Sequence, residues 1–215
     1  ESQAGISIRD RGYLYGDAVF DAARTFNGTP FRLTEHVHRL YDSLRYLRID
    51  VNLSQHEMED WSRQVVEHNY ALSPPGQDMW VMQRISRCIE PILPGDVMTP
   101  TVLIETHPIP FARRASLYRD GAAIFTPSVP RVPPRFVSPR AKTHNYLNLI
   151  LGDLEAAASD PDAWSVLLDE SGNLTEGRGS NIFLVKDGTV ATPKGQYVLE
   201  GITRGVTINL AAGLD

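Results

Sequence analysis

The sequence contains a single cysteine, Cys88, among its 215 residues. One cysteine cannot form a disulfide within the chain, so a disulfide-stapled secreted module is excluded and we expect a reducing compartment. The sequence also lacks any apolar run of the roughly 18 residues that a membrane-spanning helix needs, and its first residues form no apolar signal-peptide core. These features predict a cytoplasmic protein with no membrane partner.

An excess of positive charge is absent as well. The formal net charge is −5, from 21 basic and 26 acidic residues. Binding to nucleic acid or to an anionic membrane depends on basic surfaces, so the overall charge gives no reason to expect either partner. The apolar content of 42% and charged content of 22% are those of an ordinary globular protein. We find no internal repeat.

Prolines are concentrated between Pro108 and Pro139, where they exclude a long helix. We place an interdomain connector at residues 111–121 within this stretch. The length of the chain allows two domains. The sequence therefore predicts a small N-terminal α/β domain over residues 1–110 and a larger C-terminal α/β domain over residues 122–215.

Local signals predict the elements of the N-terminal half. Turn residues, N-capping residues and alternating or helical apolar spacing mark their bounds. The predicted elements are a turn at Asn27-Gly28-Thr29-Pro30 with residues 30–33 as the second arm of a hairpin, a helix capped by Thr34, a helix over 54–69 with a capping box at Ser54, and strands over 79–85 and 101–106 separated by Pro94-Gly95-Asp96.

In the C-terminal half, residues 138–160 predict an amphipathic helix with Lys142 in its first turn. A cation at that end of a helix is unfavourable, because the helix dipole is positive there. Lys142 alone is compatible with a plain surface lysine or with an amine that forms a Schiff base. Strands over 164–169 and 181–186 follow, and a hairpin turn is predicted at Asp187-Gly188.

Two further segments carry candidate chemistry. Glu176 lies among glycines and small polar residues, and it is either a surface carboxylate or one that pairs with a pyridinium nitrogen. Gly201-Ile202-Thr203 precedes a predicted helix. Such a turn either caps the helix with Thr203 or offers its free backbone N–H groups to a phosphate.

The order of Lys142, Glu176 and the Gly201 turn along the chain resembles the fold-type IV aminotransferases. This class IV family includes branched-chain and D-amino acid aminotransferases and aminodeoxychorismate lyase. The segments DRGYLYGDAVF at residues 10–20 and RLTEHVHRL at residues 32–40 are similar to the family's early strand and following helix. The resemblance covers nearly the whole chain.

The resemblance implies pyridoxal 5′-phosphate as the cofactor, with Lys142 as the catalytic lysine that carries it. Glu176 matches the partner of the pyridine nitrogen, and Arg39 matches a ligand of the phosphate. The implied cofactor-binding residues are Arg39, Lys142, Tyr146, Glu176, Leu199, Gly201, Ile202 and Thr203. Tyr15 and Phe20 match substrate-pocket positions, which the family often receives from the other subunit of a dimer. No metal ligand is implied.

The resemblance implies the aminotransferase fold type IV, assembled as a homodimer. The implied reaction moves an amino group from an amino acid or a chiral primary amine to a 2-oxo acid, in a ping-pong cycle through aldimine and ketimine. A lyase of the aminodeoxychorismate type and a truncated, non-catalytic homologue are alternatives. Since the chain starts at Glu1 and ends at Asp215 within a predicted helix, we expect segments to be missing at both ends. Arg84 and Arg87 are either hooks for a substrate carboxylate or members of structural salt bridges.

Overall fold

The computed structural model describes residues 4–93, 95 and 97–214. The chain separates into two compact units, one made of Glu1–Ile109 with Ala141–Asn145 and the other made of Pro110–Arg140 with Tyr146–Asp215. The return of Ala141–Asn145 to the first unit was not anticipated from the sequence. Of the predicted turn at Pro94-Gly95-Asp96, the two outer residues lie outside the described residues.

The first unit contains a four-stranded antiparallel sheet in the order β2-β1-β3-β4. Its elements are α1 (Arg11–Tyr15), β1 (Ala18–Phe26), β2 (Thr29–Pro30), α2 (Leu33–Leu47), α3 (Gln55–Ala71), β3 (Met79–Ser86) and β4 (Thr101–Pro108). β1 and β2 form the predicted hairpin, and Asn27 and Gly28 in its turn both have positive φ. Such φ values are what a tight hairpin turn requires. The second arm of the hairpin is Thr29–Pro30 and not the predicted residues 30–33, because α2 begins at Leu33.

Side chains alternate between the two faces of this sheet. One face packs on α2 and α3 and forms the core, with Val19, Val81 and Ile85 buried in it. The opposite face carries the neighbours of these residues along each strand. There the register pairs Phe20 on β1 with Arg84 on β3, and Arg84 with Leu103 on β4.

The two helices start differently. Before α3, the Ser54 hydroxyl accepts a hydrogen bond from the Glu57 amide, and the Glu57 carboxylate accepts one from the Ser54 amide, so the predicted capping box is confirmed. The predicted Thr34 cap of α2 is wrong. Arg32 occupies the cap position with φ 53° and no side-chain cap bond, and the Thr34 hydroxyl instead donates to Glu59 on α3.

The second unit is built from shorter elements. They are α4 (Phe111–Asp120), β5 (Ile124–Phe125), α5 (Leu147–Ser159), β6 (Trp164–Ser165), β7 (Leu184–Lys186), β8 (Thr189–Ala191) and α6 (Ile202–Ala211). β5 and β6 pair in parallel, and β7 and β8 form an antiparallel hairpin. Asp187 and Gly188 both have positive φ in its turn, which confirms the prediction made from this dipeptide.

Three expectations for this unit are corrected. A ten-residue helix, α4, lies within the proline-rich stretch, because no proline interrupts residues 111–120. The strands predicted over 164–169 and 181–186 shrink to β6 and β7. Beyond β6 the pairing is reduced to an isolated bridge between Leu168 and Leu174, because the chain turns at once.

The mixed content of helix and sheet confirms the predicted α/β class. None of the helices in the described part of the chain is both long enough and apolar enough to cross a bilayer.

Candidate functional site

Lys142 does not lie in a helix, and this overturns the prediction that it sits in a first helical turn. α5 begins only at Leu147. Residues 142–144 instead run along β1, where the Phe20 amide donates to the Lys142 carbonyl over 3.0 Å and the His144 amide donates to the Ala18 carbonyl over 2.9 Å. Pairing with a neighbouring strand has overridden the helical pattern of the sequence.

The main chain of Lys142 is fixed from its other side by α2. Its amide donates to the Ser43 hydroxyl over 2.9 Å, and that hydroxyl donates to the Arg39 carbonyl over 3.0 Å. Two elements of the first unit therefore hold Lys142 by its backbone, and its side chain is half-buried. A site is most precise when rigid elements position its side chains.

The amine of Lys142 lies over the ring of Phe20, with Nζ 4.6 Å from the ring centroid. The structure thus brings together the predicted catalytic lysine and one of the two predicted substrate-pocket residues. Tyr15, the other, lies at the end of α1 and is 58% exposed, with the Arg11 guanidinium 5.1 Å from its ring centroid.

Arg39 belongs to a buried charge cluster on the helix-facing side of β1. Its guanidinium donates twice to Asp21, through Nε and Nη2, each over 2.8 Å. The His36 Nδ1 lies 2.7 Å from the same carboxylate and acts as a donor, because a carboxylate can only accept. Burial works against the charge of Asp21, but the hydrogen bond from His36 and the charge and hydrogen bond of Arg39 outweigh it and lower the pKa of Asp21 to about 2.

In the second unit, Glu176 is a buried and strongly bonded carboxylate, with 5% of its surface exposed. One of its oxygens accepts from the Leu199 amide over 2.8 Å and from the Asn181 amide group over 3.4 Å. The other accepts from Nη2 of Arg131 over 3.1 Å. This favours the functional interpretation of Glu176 over that of a surface loop carboxylate.

The predicted phosphate turn is tied to the same network. The Asn181 side chain also donates to the Leu199 carbonyl, and a Cβ added at Gly201 would stand 2.1 Å from Oδ1 of Asn181. Only glycine fits at that position. Gly201 is the cap residue of α6, and Ile202 and Thr203 form its first turn, so their amides have no acceptor within the helix.

Tyr146 also belongs to the second unit, where it occupies the N-cap position of α5 and is half-buried. The predicted site residues thus fall into two sets. The first unit contains Tyr15, Phe20, Arg39 and Lys142, and the second contains Tyr146, Glu176, Leu199, Gly201, Ile202 and Thr203.

The structure separates the roles of the two candidate carboxylate hooks. Arg87 donates to Asp17 through Nε and Nη2, and further to the carbonyls of Leu47 and Arg48 at the end of α2. These bonds make it a structural residue. Arg84 makes a single ion pair, with Glu105, through Nε over 2.6 Å.

Several residues of the two networks were not identified from the sequence. Asp21 directly follows the quoted strand motif, and a charged residue at a core-facing position of an apolar strand is a detectable signal. His36 is spaced one helical turn before Arg39, which places both on one helix face. Asn181 lies only five residues after Glu176, whereas Arg131 meets Glu176 only through the folded chain, so no local pattern indicates Arg131.

Comparison with known proteins finds similarity to one family along most of the chain. The family model of amino-transferase class IV matches residues 18–215. A protein of Methanocaldococcus jannaschii, named provisionally as a branched-chain-amino-acid aminotransferase, is 37% identical over 214 residues, which are 98% of this chain and 71% of that protein. The D-alanine aminotransferase of Bacillus licheniformis is 28% identical over 212 residues, which are 97% of this chain and 70% of that enzyme.

Solved structures are similar over the same extent. A branched-chain aminotransferase from the thermophilic archaeon Thermoproteus uzoniensis, solved with norvaline, superposes with a TM-score of 0.85 at 27% identity, covering 100% of this chain and 71% of that one. The Escherichia coli branched-chain amino acid aminotransferase gives a TM-score of 0.86 at 28% identity, covering 99% of this chain and 71% of that one. Another similar branched-chain amino acid aminotransferase, with a TM-score of 0.86 at 29% identity over 100% of this chain and 70% of that one, is complexed with N-(5′-phosphopyridoxyl)-L-glutamate.

Proposed function

The chain belongs to the amino-transferase class IV family and is an aminotransferase, and from this premise we propose that Lys142 and Glu176 are its two principal cofactor residues. The cofactor is pyridoxal 5′-phosphate. The reaction moves an amino group from an amino acid or a chiral primary amine to a 2-oxo acid.

The residues of the chain fit this cofactor. Its pyridine nitrogen needs an ionised partner, and Glu176 accepts hydrogen bonds from Leu199, Asn181 and Arg131, all of which favour its charged form. Its aldehyde needs an amine, and Lys142 provides one on a backbone held from both sides. Its phosphate needs donors, which the first turn of α6 offers.

When bound, the cofactor withdraws electrons from the substrate and makes its Cα–H acidic. Lys142 would hold the cofactor through Nζ between turnovers and would move the proton at the substrate Cα as a general base and acid. Glu176 would keep the proton on the pyridine nitrogen, since a neighbouring negative charge favours the protonated form.

We propose that Arg39 and the amides of Ile202 and Thr203 bind the phosphate, and that Leu199 packs on the ring. Arg39 supplies a guanidinium whose orientation is fixed by Asp21. A guanidinium suits a phosphate because it can donate two parallel hydrogen bonds. Phe20, in contact with the amine of Lys142, would line the substrate pocket.

The observation that carries the proposal is the position of Lys142, whose backbone is bound to β1 and α2 while its amine meets an aromatic ring. The test is a panel of half-reactions with L-leucine, D-alanine and both enantiomers of 1-phenylethylamine, followed by the visible absorbance of the cofactor. A spectral change with at least one amine, reversed by a 2-oxo acid, is the expected result. Release of pyruvate without an acceptor would indicate a lyase instead.

A homodimer and a cytoplasmic location are part of the same proposal. The exposed Tyr15 supports the dimer, because a substrate-lining aromatic that faces outward on its own subunit can serve a second one. Light scattering coupled to size-exclusion chromatography tests this point, and a monomeric mass for the active protein would contradict it.

A further inference from the structure

Arg84 uses only part of its hydrogen-bonding capacity. Its Nε donates to Glu105, but the contact of its Nη2 is only the weakly accepting sulfur of Met82, at 3.2 Å. A guanidinium has five N–H donors. Within the described residues, its terminal nitrogens make no other hydrogen bond, and a third of its side chain, 33%, is exposed.

The position of Arg84 relates it to the predicted catalytic amine. Its Cζ lies 5.4 Å from the centroid of the Phe20 ring, and Nζ of Lys142 lies 4.6 Å from the same centroid. The two cations therefore share one aromatic ring, and their separation cannot exceed the sum of these distances. Both cations therefore border the ring that is predicted to line the substrate pocket.

A cavity of about 530 Å³ opens beside Arg84, within the range of ligand pockets in proteins. It lies on the face of the sheet that points away from α2 and α3, and its apolar walls include Ile6, Ile8 and Leu103. Besides Arg84, the polar residues that line the cavity include Asp10, Ser86, Thr101 and His144.

Among the described residues that line the cavity, Arg84 is the one that carries a positive charge. Asp10 accepts hydrogen bonds from both the Ser86 and Thr101 hydroxyls, so its charge is directed at them. His144 is neutral at physiological pH, because burial and the charge of Arg84 lower its pKa to about 4 against the opposite influence of Asp10.

We propose that Arg84 binds the carboxylate of the amino acid or 2-oxo acid substrate, and that the adjoining cavity receives the part of the substrate attached to it. This inference rests on the proposed aminotransferase function. An arginine with its terminal edge uncommitted can donate two parallel hydrogen bonds to a carboxylate.

Glu105 competes with the substrate for Arg84. Burial works against the charge of Glu105, but the hydrogen bond and charge of Arg84, with a smaller contribution from His107, lower its pKa. Glu105 keeps a second partner when Arg84 turns to a substrate, since Nε2 of His107 lies 3.2 Å from its other oxygen. The Arg84–Glu105 ion pair therefore disfavours ligands without a carboxylate, because such ligands cannot replace the carboxylate of Glu105 as the partner of Arg84.

The test compares two unreactive ligands of nearly equal shape on the full-length, cofactor-loaded protein. 4-Methylpentanoic acid carries a carboxylate and 4-methylpentanamide does not, and calorimetry gives both dissociation constants. Arg84→Gln should weaken binding of the acid by about 10-fold to 100-fold, the usual contribution of a charged hydrogen bond, and leave that of the amide unchanged. Glu105→Gln should bind the acid at least as tightly as the wild type, because the competitor has lost its charge.

Arg63→Gln on α3 is the matched control, because it removes another partly exposed, ion-paired arginine of the same unit. If Arg84→Gln does not fold, Arg84→Lys takes its place, since a lysine keeps the charge and loses the bidentate geometry. Equal affinity of the Arg84 variant and the wild type for the acid would overturn the inference, as would weaker acid binding by a folded Glu105→Gln. A wild-type protein that stays colourless with pyridoxal phosphate would instead contradict the proposed function.

Discussion

The two units hold their principal site residues by different means. In the first, Lys142 is fixed by backbone hydrogen bonds to β1 and by the Ser43 hydroxyl of α2, next to a continuous apolar core. In the second, Glu176 is fixed by an amide, a carboxamide and a guanidinium that short strands and loops present. The comparison teaches that the side chain of Lys142 can be removed without releasing its backbone, whereas the position of Glu176 depends on the bonding partners of its side chain.

The largest effect is expected for Lys142→Ala. It removes the general base and the attachment of the cofactor, so turnover should fall by at least about 1000-fold. Because the backbone holds this position, the melting temperature should stay close to that of the wild type. Lys186→Ala, at an exposed position of β7, is the control and should keep full activity. A strongly lowered melting temperature for Lys142→Ala would contradict the backbone anchoring.

Glu176→Gln should lower turnover by about 100-fold, since an amide cannot keep the pyridine nitrogen protonated. The cofactor should still bind, because its other contacts remain. Turnover and cofactor content are measured on the same samples, with Glu67→Gln on the exposed side of α3 as the control. Near-normal turnover of Glu176→Gln would contradict the proposed role of Glu176 as the partner of the pyridine nitrogen.

Asp21→Asn tests the buried charge cluster of the first unit. Breaking such a pair leaves Arg39 without its partner in a buried position, so we expect a loss of about 3–5 kcal/mol in the free energy of unfolding. Denaturant titration measures this loss. The exposed Asp42→Asn on α2 is the control and should change the value by less than about 0.5 kcal/mol.

The pH dependence of the same cluster has a defined sign. The pKa of Asp21 in the folded protein, about 2, lies below the ordinary value of about 3.9. Its contribution to stability is therefore complete above the ordinary value and is lost as the pH falls towards 2. The Asp21→Asn variant should not show this part of the loss of stability at low pH. An unchanged acid profile would contradict the assignment.

The smallest effects are expected for substitutions of two glycines, Gly201 at the N-cap of α6 and Gly205 within it. Gly201→Ala would push a Cβ against Asn181 and disturb the network of Glu176, so the cofactor should be retained less well. Gly205→Ala meets nothing within 4 Å and should stabilise the helix by about 0.5–1 kcal/mol. Cofactor dissociation constants and melting temperatures distinguish the two outcomes. Equal behaviour of both variants would indicate that the second unit tolerates changes beside Glu176.

The sequence predicted the features that are determined locally. The capping box at Ser54 and the turns at Asn27-Gly28 and Asp187-Gly188 depend on a few neighbouring residues, and all three are confirmed. The α/β class and the family follow from patterns spread along the chain. Such predictions succeed because the local conformational preference of these residues agrees with the fold of the whole chain.

What the sequence could not predict depends on contacts between distant segments. Residues around Lys142 have a helical pattern, yet they pair with β1, over a hundred residues earlier in the chain. Asp21 forms its ion pair with Arg39 only when β1 packs on α2. Arg131 is 45 residues before Glu176 in the chain and meets it only in the folded structure. The roles predicted for the site residues remain predictions, because they concern a bound cofactor.

The most direct test of the central claim uses the fact that the chain has only three lysines, Lys142, Lys186 and Lys194. The protein is loaded with pyridoxal phosphate and reduced with borohydride, and its peptides are then mapped by mass spectrometry. We predict one phosphopyridoxyl group per chain, on Lys142. A label on Lys186 or Lys194, or no label at all on a folded protein, would contradict the account.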